Sequence, residues 1–303
     1  MRIWPLIALG VFAGIAGGIS ARIFSGGALN WPEPSTELIT VLRKQPPPQP
    51  PSRDEIARFV PDQRAELVRA NGDPIAVEYS SVILDPRWID LEFFGGWNRE
   101  FEANEDPEAL LFFTGPTFEK QFGRGELDMA LHGDLMLSNG TLRAGNRAAA
   151  AGRAYIAITS EGELVFGYGD LTPSREEKFR LFVGGLHAFS HQDQIPPADY
   201  RGVYGEMRLA DVRIIYALRS DGALEVIETA DGVHFNDLKL LVEQRNFTAA
   251  FLPDHASKSR LIVPGTRPWS EEQAVWVSGG KPSITQLPFM LRVLARDALP
   301  QAR

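Results

Sequence analysis

The sequence predicts an α+β protein: a mainly antiparallel mixed sheet with a few packed helices, preceded by an N-terminal membrane segment. Three observations carry this. Apolar-alternating runs meet at turns ending in glycine at Asn139-Gly140, Glu161-Gly162 and Asp221-Gly222, and glycine supplies the positive φ that a tight hairpin turn requires. After the third hairpin, Leu238, Leu241 and Val242 share one helical face, with Asn236 placed to cap the start and Asn246 suited to the C-terminal end. At the N-terminus, Ile3 to Ile19 is apolar and carries no charge.

That first segment follows Arg2 and is closed by Arg22. Its length is at the lower edge of the roughly 17 to 25 residues that span a bilayer, and above the roughly 7 to 15 of a signal-peptide core. Residues 1–24 are therefore expected to be a membrane anchor, with a signal peptide cleaved near Ser25 to Ala28 as the alternative. Gly10, Gly14 and Gly18 line one helix face where a second helix could approach, which points to a dimer through that face. Either way the bulk of the chain is expected outside the cytoplasm, periplasmic or secreted. Residues 25–54, with WPEPS and QPPPQPPS, read as an extended proline-rich stalk.

Residues 55–303 are expected to form the globular domain. A chain of 303 residues, 44% hydrophobic and 23% charged, can bury a large core. The net charge of −8 and the lack of a Lys/Arg run argue against nucleic acid as a partner. With no cysteine, disulfides and thiolate metal sites are excluded. Ser52 to Asn71 reads as a helix interrupted at Pro61 and ended at Asn71-Gly72, and Ile284 to Ala298 as a closing helix. Thr248 to Leu252, TAAFL, reads as a central buried strand ended by Pro253.

The stretch FLPDHASKSRLIVPG, Phe251 to Gly265, then places an acid and a histidine in a loop between two apolar runs. Loops leaving a buried strand often carry sites. This order of hairpin, helix, buried strand and acidic loop resembles the end of the phosphodiester glycosidase family, where an Asp-Gly-Gly-x-Ser signature follows the last strand. Here the matching stretch runs from Leu252 to Ser259, keeping Asp254 and lacking the glycines. Upstream, LFFTGPTFEK is similar to the family's strand and Asn-Gly-Gly-Phe motif, with Thr114 at the asparagine position and Phe118 at the aromatic one. ALHGDLMLSNGTL and RIIYALRSDGALEVI are similar to its next strands. The resemblance covers Leu110 to Gly265 and implies removal of a sugar from a phosphodiester-linked glycan.

On that basis Asp254 is the candidate nucleophile or general base, with Asp134 and Glu119 as candidate partner carboxylates and Glu206 as a further one, since glycoside hydrolysis commonly pairs two acids. His255, Lys258, Ser259, Arg213, Thr114 and His132 are candidate substrate-binding residues. Lys258 and Arg260, flanking Asp254, could balance a phosphate's charge, and Arg213 could fork onto a phosphate or carboxylate, although a surface ion pair explains Arg213 equally well. His187 and His191 stand four apart with Asp193 beyond, but Gly184-Gly185 and Pro196-Pro197 make this a strand followed by a loop rather than a zinc helix. No metal and no cofactor are called for. No G-x-S-x-G elbow, Walker loop or Rossmann fingerprint is present. The function expected is a membrane-tethered extracytoplasmic hydrolase acting on a sugar phosphodiester or glycan. The alternative is a non-catalytic cell-envelope protein that keeps the fold for glycan binding or structure.

Overall fold

The computed structural model describes residues 50–120, 129–145, 152–200, 213–253, 259–267, 269–270, 275–276, 283–284 and 286–297. The membrane segment with its glycine face, the stalk up to residue 49, Asp254, His255, Lys258 and Glu206 lie outside the described residues. Among the described residues no helix is long and apolar enough to cross a membrane. Residues Pro50–Arg303 form one compact unit.

Two sheets and a helix build this unit. The larger sheet starts with the edge hairpin of β1 (Ala57–Val68) and β2 (Pro74–Leu84), and continues through β13 (Leu224–Thr229), β12 (Ile214–Leu218), β14 (Ala249–Leu252) and β11 (Phe179–His191). From β11 it branches to β7 (Leu135–Met136) with β8 (Leu142–Arg143), and to β9 (Ala154–Thr159) with β10 (Leu164–Tyr168). The smaller sheet has the order β15 (Leu261–Ile262), β4 (Ala109–Phe113), β18 (Phe289–Ala295) and β3 (Ile89–Gly95). Two short hairpins, β5 (Phe118–Lys120) with β6 (Met129–Leu131) and β16 (Val275–Trp276) with β17 (Ser283–Ile284), stand apart. Short helices α1 (Arg53–Ile56), α2 (Glu100–Asn104) and α3 (Pro173–Glu176) accompany the longer α4 (Phe235–Arg245). Every strand pairing among the described residues is antiparallel, so the expected sheet type holds without its mixed component.

The lack of charge in TAAFL follows from where β14 sits. Its odd-numbered residues, Ala249 and Phe251, join the core shared with the smaller sheet's Phe113 and Leu291. Its even-numbered residues, Ala250 and Leu252, join a second core under Leu238, Leu241 and Val242 of α4. Both faces are dry, and a side chain as large as Phe251 contributes about 2 to 3 kcal/mol on burial. The three glycine turns join β7 to β8, β9 to β10 and β12 to β13, with φ of +77° at Gly140, +94° at Gly162 and +83° at Gly222. α4 ends on Asn246 in the left-handed region, as expected. Its N-cap, however, is His234, so Asn236 lies inside the first turn and does not cap.

Two helix expectations are corrected. Ser52 to Asn71 holds only the four-residue α1 before the chain extends into β1, and Asn71-Gly72 turns a hairpin rather than ending a helix. β1 lies at the sheet edge, where Pro61 costs no ladder bond on a central strand; the register shifts between Val60 and Gln63 and Asp62 takes φ +49°. Within Ile284 to Ala298 the chain forms β18, which buries Phe289, Leu291 and Val293 on one face and on the other pairs Arg292 with Glu92 and Asp106. A short apolar run of this kind has no period that separates strand from helix.

α4 is tied to the edge hairpin by Arg69, whose Nε and Nη2 donate to the two oxygens of the buried Asp237 at 2.9 and 2.7 Å. These bonds hold the Asp237 carboxyl below the ordinary aspartate range. A depressed native pKa stabilises the fold above the unfolded value of about 3.9, and that stability is lost as pH falls through the native pKa. The Arg69→Met protein is therefore expected to lose less melting temperature than wild type between pH 6 and pH 2.5. Parallel acid melting curves would count against this tie.

Candidate functional site

Strand register brings the central pair of side chains together. In the antiparallel pairing of β11 with β9, Leu186 stands opposite Ala154, so the next step outward sets His187 across from Arg153. The register changes between Val183 and Leu186, where Gly184 and Gly185 add a bulge with φ +75° at Gly185. Without that extra residue the two side chains would fall on opposite faces.

Arg153 Nη1 lies 2.8 Å from His187 Nε2, and both residues are buried, at 2% and 1% exposure. The same Nη1 also lies 3.3 Å from Nδ1, so the guanidinium sits across the imidazole rather than on the lone pair of one nitrogen. Thr117 Oγ1 lies 3.3 Å from the same nitrogen and donates to the carbonyl of Pro253 at 2.8 Å. Its oxygen can then only accept from His187, so a proton on Nε2 completes that contact.

The loop from Thr114 to Thr117 is clipped at both ends. Thr114 Oγ1 accepts from the Arg260 amide at 2.7 Å, and the Thr114 amide donates to the Arg260 carbonyl at 3.1 Å. The Tyr216 hydroxyl donates to the Thr114 carbonyl, and the His132 amide donates to the Thr117 carbonyl at 2.8 Å. The segments flanking residues 254–258, ending at Pro253 and resuming at Ser259, are thus fixed against this loop.

Charges buried behind the site brace it. Arg260 Nε donates to Glu100 Oε1 at 3.1 Å, with side chains only 2% and 5% exposed. Burial pulls Arg260 below its ordinary range, against the attraction of Glu100 and Glu228. Glu228, itself pushed up by burial, is ion-paired with Arg267 at 2.7 Å without hydrogen-bond alignment. Breaking such a pair from one side typically costs about 3 to 5 kcal/mol.

Of the residues singled out in the sequence, the structure gathers Thr114, His132, Asp134, Glu119 and Ser259 around this loop. Glu119 Oε1 lies 2.9 Å from His132 Nε2 on the β5–β6 hairpin, half exposed. Asp134 is buried, accepting from the Gly145 amide at 2.9 Å through Oδ1 and from the Gly184 amide at 2.9 Å through its carbonyl. Ser259 is buried beside Arg260. Arg213 is fully buried, which removes the surface ion pair as its explanation; its amide donates to Thr229 Oγ1 at 3.1 Å.

Sequence reasoning passed over Arg153 and Thr117, and named His187 only in setting aside a zinc helix. His187 and His191 both lie in β11, which runs to His191. The available signal was the glycine pair inside an apolar run, which marks a bulge. Among the described residues no cluster of three or more His, Asp or Glu could hold a metal.

No family model and no curated protein matches the sequence. Among solved structures, the zebrafish N-acetylglucosamine-1-phosphodiester α-N-acetylglucosaminidase catalytic domain, auto-inhibited by its pro-peptide, aligns with 14% identity and a TM-score of 0.55. The alignment covers 80% of this chain and 83% of that one. A hypothetical protein from Synechocystis aligns at 11% identity over 80% of this chain and 62% of that one, with a TM-score of 0.43. At 14% identity the first likeness speaks to architecture alone: the chain shares the fold of a phosphodiester glycosidase catalytic domain.

Proposed function

We propose that the protein is a hydrolase of the phosphodiester glycosidase type, releasing a sugar from a phosphodiester-linked glycan. The observation that carries this is the buried Arg153–His187–Thr117 cluster, set at the strand ends beside the two segments that flank residues 254–258. Arg153 supplies the charge that a phosphodiester needs, in a site where burial strengthens it. The bond between the anomeric carbon and the phosphate oxygen breaks, and its electron pair leaves with the phosphate. Water adds to the anomeric carbon, directly or after a covalent glycosyl intermediate, and its proton passes to a base. Phosphate is already a stable anion, so the leaving group needs little help from an acid. Asp254 fills the role of nucleophile or base in this reading, with Asp134 and Glu119 as partner carboxylates and Lys258 and His255 at the substrate. The N-terminal segment tethers the enzyme to a membrane with the domain outside the cytoplasm.

The test is a panel of sugar phosphodiesters assayed for release of the phosphomonoester. Wild type should turn over at least one, and Asp254→Asn should abolish turnover with its melting temperature nearly unchanged, because a single loop carboxylate contributes little to folding. Full activity in that variant ends the role of Asp254. Saturable binding across the panel without turnover points to the glycan-binding alternative, which the loss of the signature glycines and the threonine at position 114 favour.

A further inference from the structure

A cavity of about 400 Å³ opens at the same end of the larger sheet, between the edge hairpin and the end of β13. Among its walls are Asp62, Arg64, Glu78, Ser80, Glu228 and Arg267. Its place relative to the site follows from register. Ser80 and Ile214 both stand opposite Glu228. β12 and β14 pair with Tyr216 opposite Phe251, so the next steps outward set Ile214 opposite Pro253. Glu228 and Pro253 therefore belong to one row, two strands apart, and neighbouring strands are about 4.8 Å apart. The cavity lies roughly 10 Å along that row from the carbonyl that anchors Thr117, a distance on the scale of two linked sugar rings.

The chemistry of the walls narrows the occupant. Arg64 is shared between Glu66 at 2.6 Å and Glu78 at 3.1 Å, and Arg267 is paired with Glu228 at 2.7 Å, so three carboxylates against two guanidinium groups leave the walls with a net negative charge. An anion would meet three carboxylates, and a cation would meet two guanidinium groups already held in pairs. A neutral polyol suits both, since each hydroxyl donates to a carboxylate and accepts from a guanidinium or from Ser80. The small, polar, open cavity also matches one ring in size better than an extended apolar group.

We propose that this cavity is a second saccharide subsite, holding a neutral sugar unit of an oligosaccharide whose phosphodiester lies at the Arg153–His187 cluster. The proposal rests on the hydrolase reading for the nature of the ligand, and it makes the substrate an oligosaccharide rather than a single sugar. Substrates with one, two and three sugar units ahead of the same phosphodiester separate the cases. In wild type, kcat/KM should rise about tenfold by the third unit. Ser80→Tyr, which fills the cavity, should erase the rise while leaving the one-sugar substrate unaffected. The Arg64→Ala/Glu78→Ala double variant removes a surface pair with little demand on the fold and should reduce the rise in the same way. Equal kcat/KM across the three substrates, or an unchanged rise in both variants, overturns the subsite. If no substrate turns over, calorimetry with a neutral methyl trisaccharide decides independently. Binding weakened at least tenfold by Ser80→Tyr supports the subsite even as the catalytic reading fails, and no binding to wild type overturns it.

Discussion

The Arg153→Met protein is expected to lose about a thousandfold in kcat/KM on any sugar phosphodiester that wild type hydrolyses. That factor corresponds to about 4 kcal/mol of transition-state stabilisation, the scale seen when one preorganised electrostatic partner is removed from a buried site. The methionine keeps most of the side-chain volume, so packing around His187 is retained while the charge and its contact with the imidazole are lost. Arg153→Lys separates two contributions. It restores the charge without the planar fork, and should recover part of the loss if the phosphate is held by charge alone. Steady-state kinetics beside thermal melting decides the matter. Activity within threefold of wild type in a folded Arg153→Met protein would remove this residue from the chemistry.

The second large effect is expected at Gly133. A Cβ built there overlaps the backbone of Gly184 and Gly185, and Gly145 in turn packs against the backbone of Gly133. Backbone cannot rotate aside as a side chain can, so the usual overpacking cost of 1 to 3 kcal/mol is a lower bound here. Gly133→Ala is expected to lose about 3 kcal/mol or more in urea unfolding. Its neighbours His132 and Asp134 would shift with it, so activity should fall in the fraction that stays folded. A melting temperature equal to that of wild type would show that the seam is looser than these contacts imply.

Other glycines explain what could be read from the sequence. Hairpins announced themselves at Asn139-Gly140, Glu161-Gly162 and Asp221-Gly222 because a tight turn is decided within a few residues. TAAFL was legible because burial on both faces leaves no room for charge. β1 was not, since an edge strand tolerates polar residues on both faces: only Ala65 and Leu67 of its twelve residues are buried. Arg153 and His187 were hidden for a different reason. They are 34 residues apart and meet only because β9 and β11 pair in one register, shifted by the bulge. Nothing local to either residue encodes that meeting. Thr114 and Asp134 could be named from their surroundings, but their partners, the Arg260 amide and the Gly145 amide, come from pairing across the fold.

The position of β18 sets a timetable for the molecule's assembly. β18 lies between β4 and β3, pairing Leu291 with Phe113 on one side and Phe93 on the other. On a ribosome the first two of these strands emerge long before the third, and synthesis adds only about 5 to 20 residues per second. For that interval β3 and β4 have no partner between them, and Phe112, Phe113 and Leu111 must wait with their apolar faces uncovered. Closure of the smaller sheet is therefore a late, long-range event, slow by its topology. The nascent chain is most open to chaperone capture, or to aggregation, in the seconds before Phe289–Ala295 arrives.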